Sequence, residues 1–408
     1  MWYAIFLVVF LLTFAVLAWR NQKIALLALA GLLPTYLLRF SIGPIPSTLL
    51  EGMILILFLV WIIKKQYKNI PGKILKPWMS PIFLLLAAAC LGAMIAPDLF
   101  DALGIWKAYY IEPILVLLMA TSILKTPEDR TTLFSVLAVS GIATSLFAFF
   151  QYASGIGIPE PWDLEHRITS WFDYPNALGL FLAPITAIAF VELFSKEKHP
   201  WFAHRRQSLI FWGATAALCG GAIILAKTEA AFVAIPAALI VTIFFLNIRP
   251  KKKIFVALAG ALIFASIALA IPAAREKILL LDDSGLVRRS QWSETIVMLK
   301  DHSILGAGLN GYPTVFAPYH DPKLYEVFQY PHNIILNIWT ELGILGLLAS
   351  LWLLWKILKS MRENPKDLLK IAAFAAIAVM LIHGLVDVPF MKNDLSVLSS
   401  LIFAVFLL

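Results

Sequence analysis

Mostly apolar stretches, most of them long enough to span a hydrocarbon layer about 30 Å thick with about 17 to 25 residues and several shorter, recur along this 408-residue chain from Trp2 to Leu408. Inside a bilayer every backbone N–H and C=O must be satisfied internally, which leaves α-helices or a closed β-barrel. Barrel strands would show segments of about ten residues with alternating polarity. The runs here are unbroken and longer, so they predict helices, and strands are not expected. A content of 61% hydrophobic and 14% charged residues excludes an ordinary soluble domain, whose composition is about half apolar and a quarter charged.

Spans are expected near 2–19, 24–38, 48–63, 79–96, 104–124, 131–151, 176–194, 208–226, 229–247, 254–272, 334–358 and 371–390, with a shorter apolar tail at 395–408 as a candidate thirteenth. The fold class is therefore all-α: a polytopic membrane protein with about 12 transmembrane helices, read as one membrane domain over 1–408. The N-terminus enters apolar sequence without a preceding Lys or Arg and without a small-residue cleavage site before Arg20, so an uncleaved first helix is expected. Cys90 and Cys219 both fall inside spans, where apolar packing accounts for them better than a disulfide.

The formal charge of +8 does not mark a nucleic-acid binder, because the basic residues sit in short loops rather than on one soluble face. Alternate loops differ sharply. The set from Arg20/Lys23 through Lys64–Lys76, Lys125/Arg130, Lys196–Arg206 and Arg249–Lys253 to Lys356–Lys370 holds 22 basic residues, and the other set far fewer, six of them in 273–333. The positive-inside rule puts the first set in the cytoplasm and the loops 152–175 and 273–333 outside. Basic residues that persist on the disfavoured side then call for a functional explanation.

Within 273–333, the stretch VRRSQWSETIVMLK places Arg288, Trp292, Ile296 and Leu299 at the spacing of one face of an amphipathic helix. Asp283 and Ser284 offer N-cap oxygens, and Gly306, Gly308 and Gly311 end the helix. Taken alone, this is equally a helix lying on the membrane with solvated arginines. Arg167 in the other outward loop and His332 at the far end of this one change the weighing. Guanidinium groups and an imidazole on one side could clamp a diphosphate through planar, bidentate hydrogen bonds that lysine cannot match.

The sequence HRITSWFDYPNALG sets Arg167 before Pro175, Asn176 and Gly179; by itself it reads as a helix start that Asn176 can cap. In PHNIILNIWTELGILG, Asn333, Asn337 and Glu341 form a polar stripe that must face protein or a wet cavity. Gly343 and Gly346 are expected to admit a neighbouring helix. Lys107 with Glu112, Lys227 with Glu229, and His383 with Asp387 are further ionisable groups in or beside spans. Each is a functional suspect, with pairwise compensation, as between Lys107 and Glu112, the competing account.

In this order the residues resemble the superfamily of O-antigen ligases and Wzy-type polymerases. His332 and Asn333, nine residues, then Gly343-x-x-Gly346 match the ligase-type signature. Arg167 with Pro175, Asn176 and Gly179 resembles the family's Arg-containing loop, and Arg288 with Trp292 and Gly306-x-Gly308 resembles its large-loop helix. The chain departs at Lys227-Thr228-Glu229, where relatives often carry Ser-Arg.

The resemblance implies a GT-C-like membrane glycosyltransferase of the cytoplasmic (inner) membrane, active on the periplasmic or outer side. Its donor would be a polyprenyl-diphosphate-linked glycan, used without nucleotide sugar, cofactor or metal. Asp282-Asp283 is the nearest imitation of a metal-ligand cluster, and adjacent acidic residues are usually a solvated turn. His332 would be the base that activates an acceptor hydroxyl, imidazole titrating near pH 6.5. Arg288 or Arg289, together with Arg167, would hold the diphosphate. Asn333, Asn176, Lys107, Glu112 and Trp292 are the accompanying candidate substrate-binding residues. The acceptor, whether lipid A core, another glycan or a protein hydroxyl, stays open. The reading from a different class is a glycolipid transporter or flippase, although no convincing internal repeat is seen.

Overall fold

The computed structural model describes residues 2–246, 279–322, 325–363 and 367–408, and in the intervening segment 251, 253–254, 258, 260 and 275–277. Among the described residues the helices of eight or more residues are, in chain order, α1 (Trp2–Arg20), α2 (Gln22–Gly31), α3 (Leu49–Ile63), α4 (Gly72–Met94), α5 (Leu99–Ile123), α6 (Pro127–Ser154), α7 (Pro175–Glu192), α8 (Arg205–Leu225), α9 (Glu229–Ile243), α10 (Asp283–Asp301), α11 (Ile334–Glu363), α12 (Leu368–His383) and α13 (Asn393–Leu407). Seven of these, α1, α4 to α8 and α11, are long and apolar enough to cross a membrane among the described residues, and α2, α3, α9, α12 and α13 are shorter apolar helices. The protein is thus an all-α, multi-pass membrane protein. The span expected at 254–272 lies outside what is described, apart from isolated residues.

Burial orders the bundle. Helix α7 is its centre, with 89% of its apolar stretch buried against α8, α9 and α12. Helix α12 packs closely because Ala372, Ala373, Ala375, Ala376 and Ala378 keep its surface small, the usual means of helix association in lipid. Helix α1 is the opposite case. Only 17% of its apolar stretch is buried, and Trp2, Val8, Val9, Leu12 and Val16 lie open on the surface. A continuous apolar face of this kind fits a hydrocarbon surround and not water.

Two features differ from expectation. A small antiparallel hairpin, β1 (Arg39–Ile42) with β2 (Ile45–Thr48), pairs Ile42 with Ile45 across Gly43-Pro44. Gly43 takes a positive φ of 61°, which a two-residue turn favours. Periodicity over windows of helical length cannot register strands this short.

The second difference is in α11. Gly343 has φ 63° and ψ −168°, which breaks the helix. The group that approaches is a loop rather than the expected helix. Ala307 donates its N–H to Thr340 O at 2.6 Å, and Ile344 donates to Ile304 O at 3.0 Å, so residues 304–307 occupy the break. A Cβ on Gly343 would lie 2.2 Å from Ile304 O, and one on Gly306 2.3 Å from Thr340 O. Gly346 faces its own helix, its would-be Cβ meeting the Leu342 side chain. Leu309 N–H then donates to Gly92 O of α4 at 3.0 Å, tying the large loop to a second helix.

Candidate functional site

The site grows from the way Pro331, His332 and Asn333 are held. His332 adopts a positive φ of 44° at the entry to α11, a conformation uncommon for a non-glycine residue. Its neighbours supply the restraint. Trp292 Nε1–H donates to Pro331 O at 2.8 Å and Gln291 Nε2–H to Tyr330 O at 2.9 Å, both from α10. Asn333 Oδ1 accepts from the Ile335 and Leu336 amides as a helix cap, while its Nδ2–H donates to Leu385 O at 2.9 Å. Ile334 N–H donates to Gly384 O at 2.7 Å. The segment before α11 is therefore clamped between α10 and the turn 384–392 that follows α12.

This clamp sets His332 Nδ1 3.7 Å from Asp387 Oδ1, an ion-pair separation too long for a hydrogen bond, with the imidazole 24% and the carboxylate 4% exposed. Among the described residues Nδ1 has no hydrogen-bond partner. The ring packs against Tyr330, with centroids 4.6 Å apart, and edge-on to Phe328 at 5.2 Å. Burial by itself would raise the Asp387 carboxyl. The neighbouring His332, the charge of His383 and the Val388 N–H outweigh it and hold Asp387 below the ordinary carboxylate value. Of the pair picked out in the sequence, Asp387 thus faces His332, and His383 acts on Asp387.

Arg288 belongs to the same group. It is half-buried, whereas Arg289 is exposed. Its Nη1 donates to Ser284 Oγ at 2.5 Å, its Nε is buried and without a partner among the described residues, and its charge acts on the phenol of Tyr330. The Tyr330 phenol is raised above its ordinary value, by burial first and by Asp387 next. The helix that carries Arg288 faces differently than its spacing implied. The buried side is Gln291, Thr295, Met298 and Leu299, while Ile296 is 48% exposed. Polar Gln291 and Thr295 turn inward because they have partners there, Tyr330 O and the Tyr312 hydroxyl. The cap is Asp282, which accepts from Gly285 N–H, rather than Asp283 or Ser284.

Arg167 sits elsewhere in the same set of loops. It donates to Ala226 O at 3.2 Å and to Lys227 O at 3.4 Å, lies 3.7 Å from Glu165, and covers the Trp162 ring. Among the described residues none of these partners is shared with His332 or Arg288. Lys227 Nζ–H donates to Glu165 O at 2.8 Å, so its positive charge stands beside Arg167. Thr228 Oγ1–H donates to Pro175 O at 3.1 Å, and its side chain fills the space that a Cβ on Gly179 would need. Asn176 lies in the first turn of α7 and does not cap it; that position is Tyr174, which makes no side-chain cap bond.

The remaining candidates brace the site from α5. Lys107 pairs with Glu51 at 3.0 Å rather than with Glu112, because Glu51 already stands beside it as part of the Thr48 capping box. Glu112 Oε2 accepts from Asn393 Nδ2–H at 3.1 Å. A π-helical turn at Lys107–Ile111 interrupts α5 here, and such turns recur at functional sites. Asn337 is fully buried and Glu341 nearly so, and the polar stripe faces protein. Three residues that sequence reasoning passed over complete the surroundings: Tyr174, Tyr330 and Lys392. The phenols of Tyr174 and Tyr330 face one another, and Lys392 Nζ lies 3.9 Å from the centre of the Tyr174 ring. Lys392 had one signal in the sequence, a basic residue on the disfavoured side of the membrane.

The sequence model of the Wzy_C family, described as O-antigen ligase, matches residues 214–351. No curated protein matches the chain. The matched region contains Arg288, Trp292, His332, Asn333 and the break at Gly343, and stops short of Asp387 and Lys392. Residues 214–351, which supply α10 and the His332 end of α11 in this multi-pass membrane protein, are thus similar to the O-antigen ligase family.

Proposed function

We propose that the protein is an inverting, metal-independent glycosyltransferase that moves a glycan from polyprenyl diphosphate to an acceptor hydroxyl on the outer side of the cytoplasmic membrane. The observation that carries this reading is the His332–Asp387 pair with Arg288 nearby, His332 and Arg288 both lying in the family-matched residues 214–351. The acceptor O–H would attack the anomeric carbon as the bond from that carbon to the diphosphate oxygen breaks. Its proton would pass to His332 Nε2, with Nδ1–H directed at Asp387, so that the carboxylate orients the imidazole and stabilises the imidazolium. The leaving polyprenyl diphosphate gains negative charge, which Arg288 would offset with its planar fork. Arg167 would act from its own cluster on the part of the substrate lying toward Lys227.

The same reading takes 1–408 as one GT-C-like domain of about 12 spans, with the loops 152–175 and 273–333 outside. Lys and Arg crowd the opposite set of loops, which supports that orientation. Ligase chemistry is favoured over polymerase or protein glycosylation by the His-Asn and Gly-x-x-Gly spacing.

The test is transfer in proteoliposomes that contain a lipid-linked glycan and acceptor. His332→Ala should abolish product while the purified variant keeps its Tm; near-normal turnover would refute the base assignment. Movement of glycolipid across the bilayer with no new glycosidic bond would favour a flippase instead.

A further inference from the structure

A diphosphate carries more than one negative charge, and Arg167 has already committed its guanidinium to two backbone carbonyls and Glu165. Arg288 by itself would leave part of that charge without a partner. Lys392 is half-buried; among the described residues its ammonium touches the Tyr174 ring and has no carboxylate at ion-pair distance, while Asp394, Asp387 and Asp173 act on its charge from farther away. It stands at the cap position of α13, where the positive end of a helix repels a cation. Burial opposes the charge and the surrounding carboxylates offset that cost only from a distance, which leaves the ammonium's donors open to a direct anionic partner. Its place is nonetheless fixed: Glu112 holds the next residue, Asn393, and Ser396 Oγ–H donates to Ala108 O at 3.2 Å.

Beside Lys392 begins an apolar cavity of about 250 Å³. Its walls run from Ile334, two residues past His332, and from Phe390 and Met391, just before Lys392, down to Leu353 and Phe403. An isoprenoid chain lying there would leave its phosphates between the two loops that carry His332 and Lys392.

We propose that Lys392 is a second phosphate-binding cation of the site and contacts the diphosphate of the polyprenyl donor together with Arg288. The inference rests on the glycosyltransferase reading. Lysine suits the task because its ammonium is a mobile point charge with three donors on a long stem.

Binding of undecaprenyl diphosphate and of undecaprenol to the full-length protein in detergent, together with steady-state transfer, decides the matter. For Lys392→Met, diphosphate binding should weaken roughly tenfold or more, the size of one charge-assisted hydrogen bond. Undecaprenol binding should stay unchanged, donor KM should rise more than kcat falls, and Tm should hold or increase. Lys392→Arg should recover most of the loss. Unchanged diphosphate binding by Lys392→Met overturns the inference, as does an equal loss for both lipids with a lower Tm, which marks a structural role. A wild-type protein that binds neither lipid and transfers nothing overturns the glycosyltransferase reading and this inference together.

Discussion

Replacing Arg288 by lysine keeps the charge and removes the planar fork, so it separates bidentate phosphate contact from simple neutralisation. The expected outcome is a large fall in kcat/KM for Arg288→Lys and a much smaller one for Arg289→Lys, read in the same transfer assay. The reason is orientation: Arg288 turns inward with an unpartnered Nε, while Arg289 points to the surface. Asp387→Asn tests the other half of the pair. It keeps the shape but withdraws the charge facing Nδ1 at 3.7 Å. It should forfeit part of the roughly 10²- to 10⁴-fold that a positioned base contributes, as a lower kcat with little change in KM. Equal activity of Asp387→Asn and wild type would remove the carboxylate from the mechanism.

At the scale of elements, the break in α11 is what lets one loop set the site. Residues 304–307 fill the gap at Gly343, Leu309 reaches Gly92, and α10 presents Gln291 and Trp292 to the residues before His332. Gly343→Ala would force a side chain into a positive-φ position 2.2 Å from a carbonyl oxygen. Strain and overpacking together should cost roughly 2–4 kcal/mol, visible as a lower Tm in detergent. Trp292→Phe keeps an aromatic side chain but loses the indole N–H that bonds Pro331 O; it should reduce kcat while leaving Tm within a few degrees. A Trp292→Phe enzyme of normal kcat would show that the clamp does not position His332.

At the scale of the whole molecule, His332 meets Asp387 of the turn 384–392 and Arg167 of the loop 155–174 meets Ala226 and Lys227 at helix ends proposed to face outward, while among the described residues of the basic loops Lys23 meets Asp129 and Arg130 meets Asp367. In a background with Cys90 and Cys219 replaced, a membrane-impermeant maleimide should label Leu164→Cys in intact cells and Lys68→Cys only after lysis. Both positions are exposed, Leu164 at 86%, so access depends on sidedness. The reverse pattern would invert the orientation and place the site in the cytoplasm.

The apolar runs by themselves determined helices and a bilayer, because hydrocarbon leaves the backbone no other way to satisfy its hydrogen bonds in runs of that length. His332 and the glycines of α11 could be singled out as polar or flexible residues at the edge of an apolar run, and Arg288 as a basic residue on the side of the membrane where few occur. Periodicity failed on α10, since it counts apolar residues while Gln291 and Thr295 are buried by their partners. It also missed the break at Gly343, because a glycine gives the same signal whether a helix or a loop comes close. Only the tertiary structure decided that Lys107 pairs with Glu51, that Arg167 turns to carbonyls at 226 and 227, and that Asp387 and Lys392 join His332. Those contacts join residues far apart in the chain, and a contact of that kind depends on how helices pack rather than on local order along the sequence.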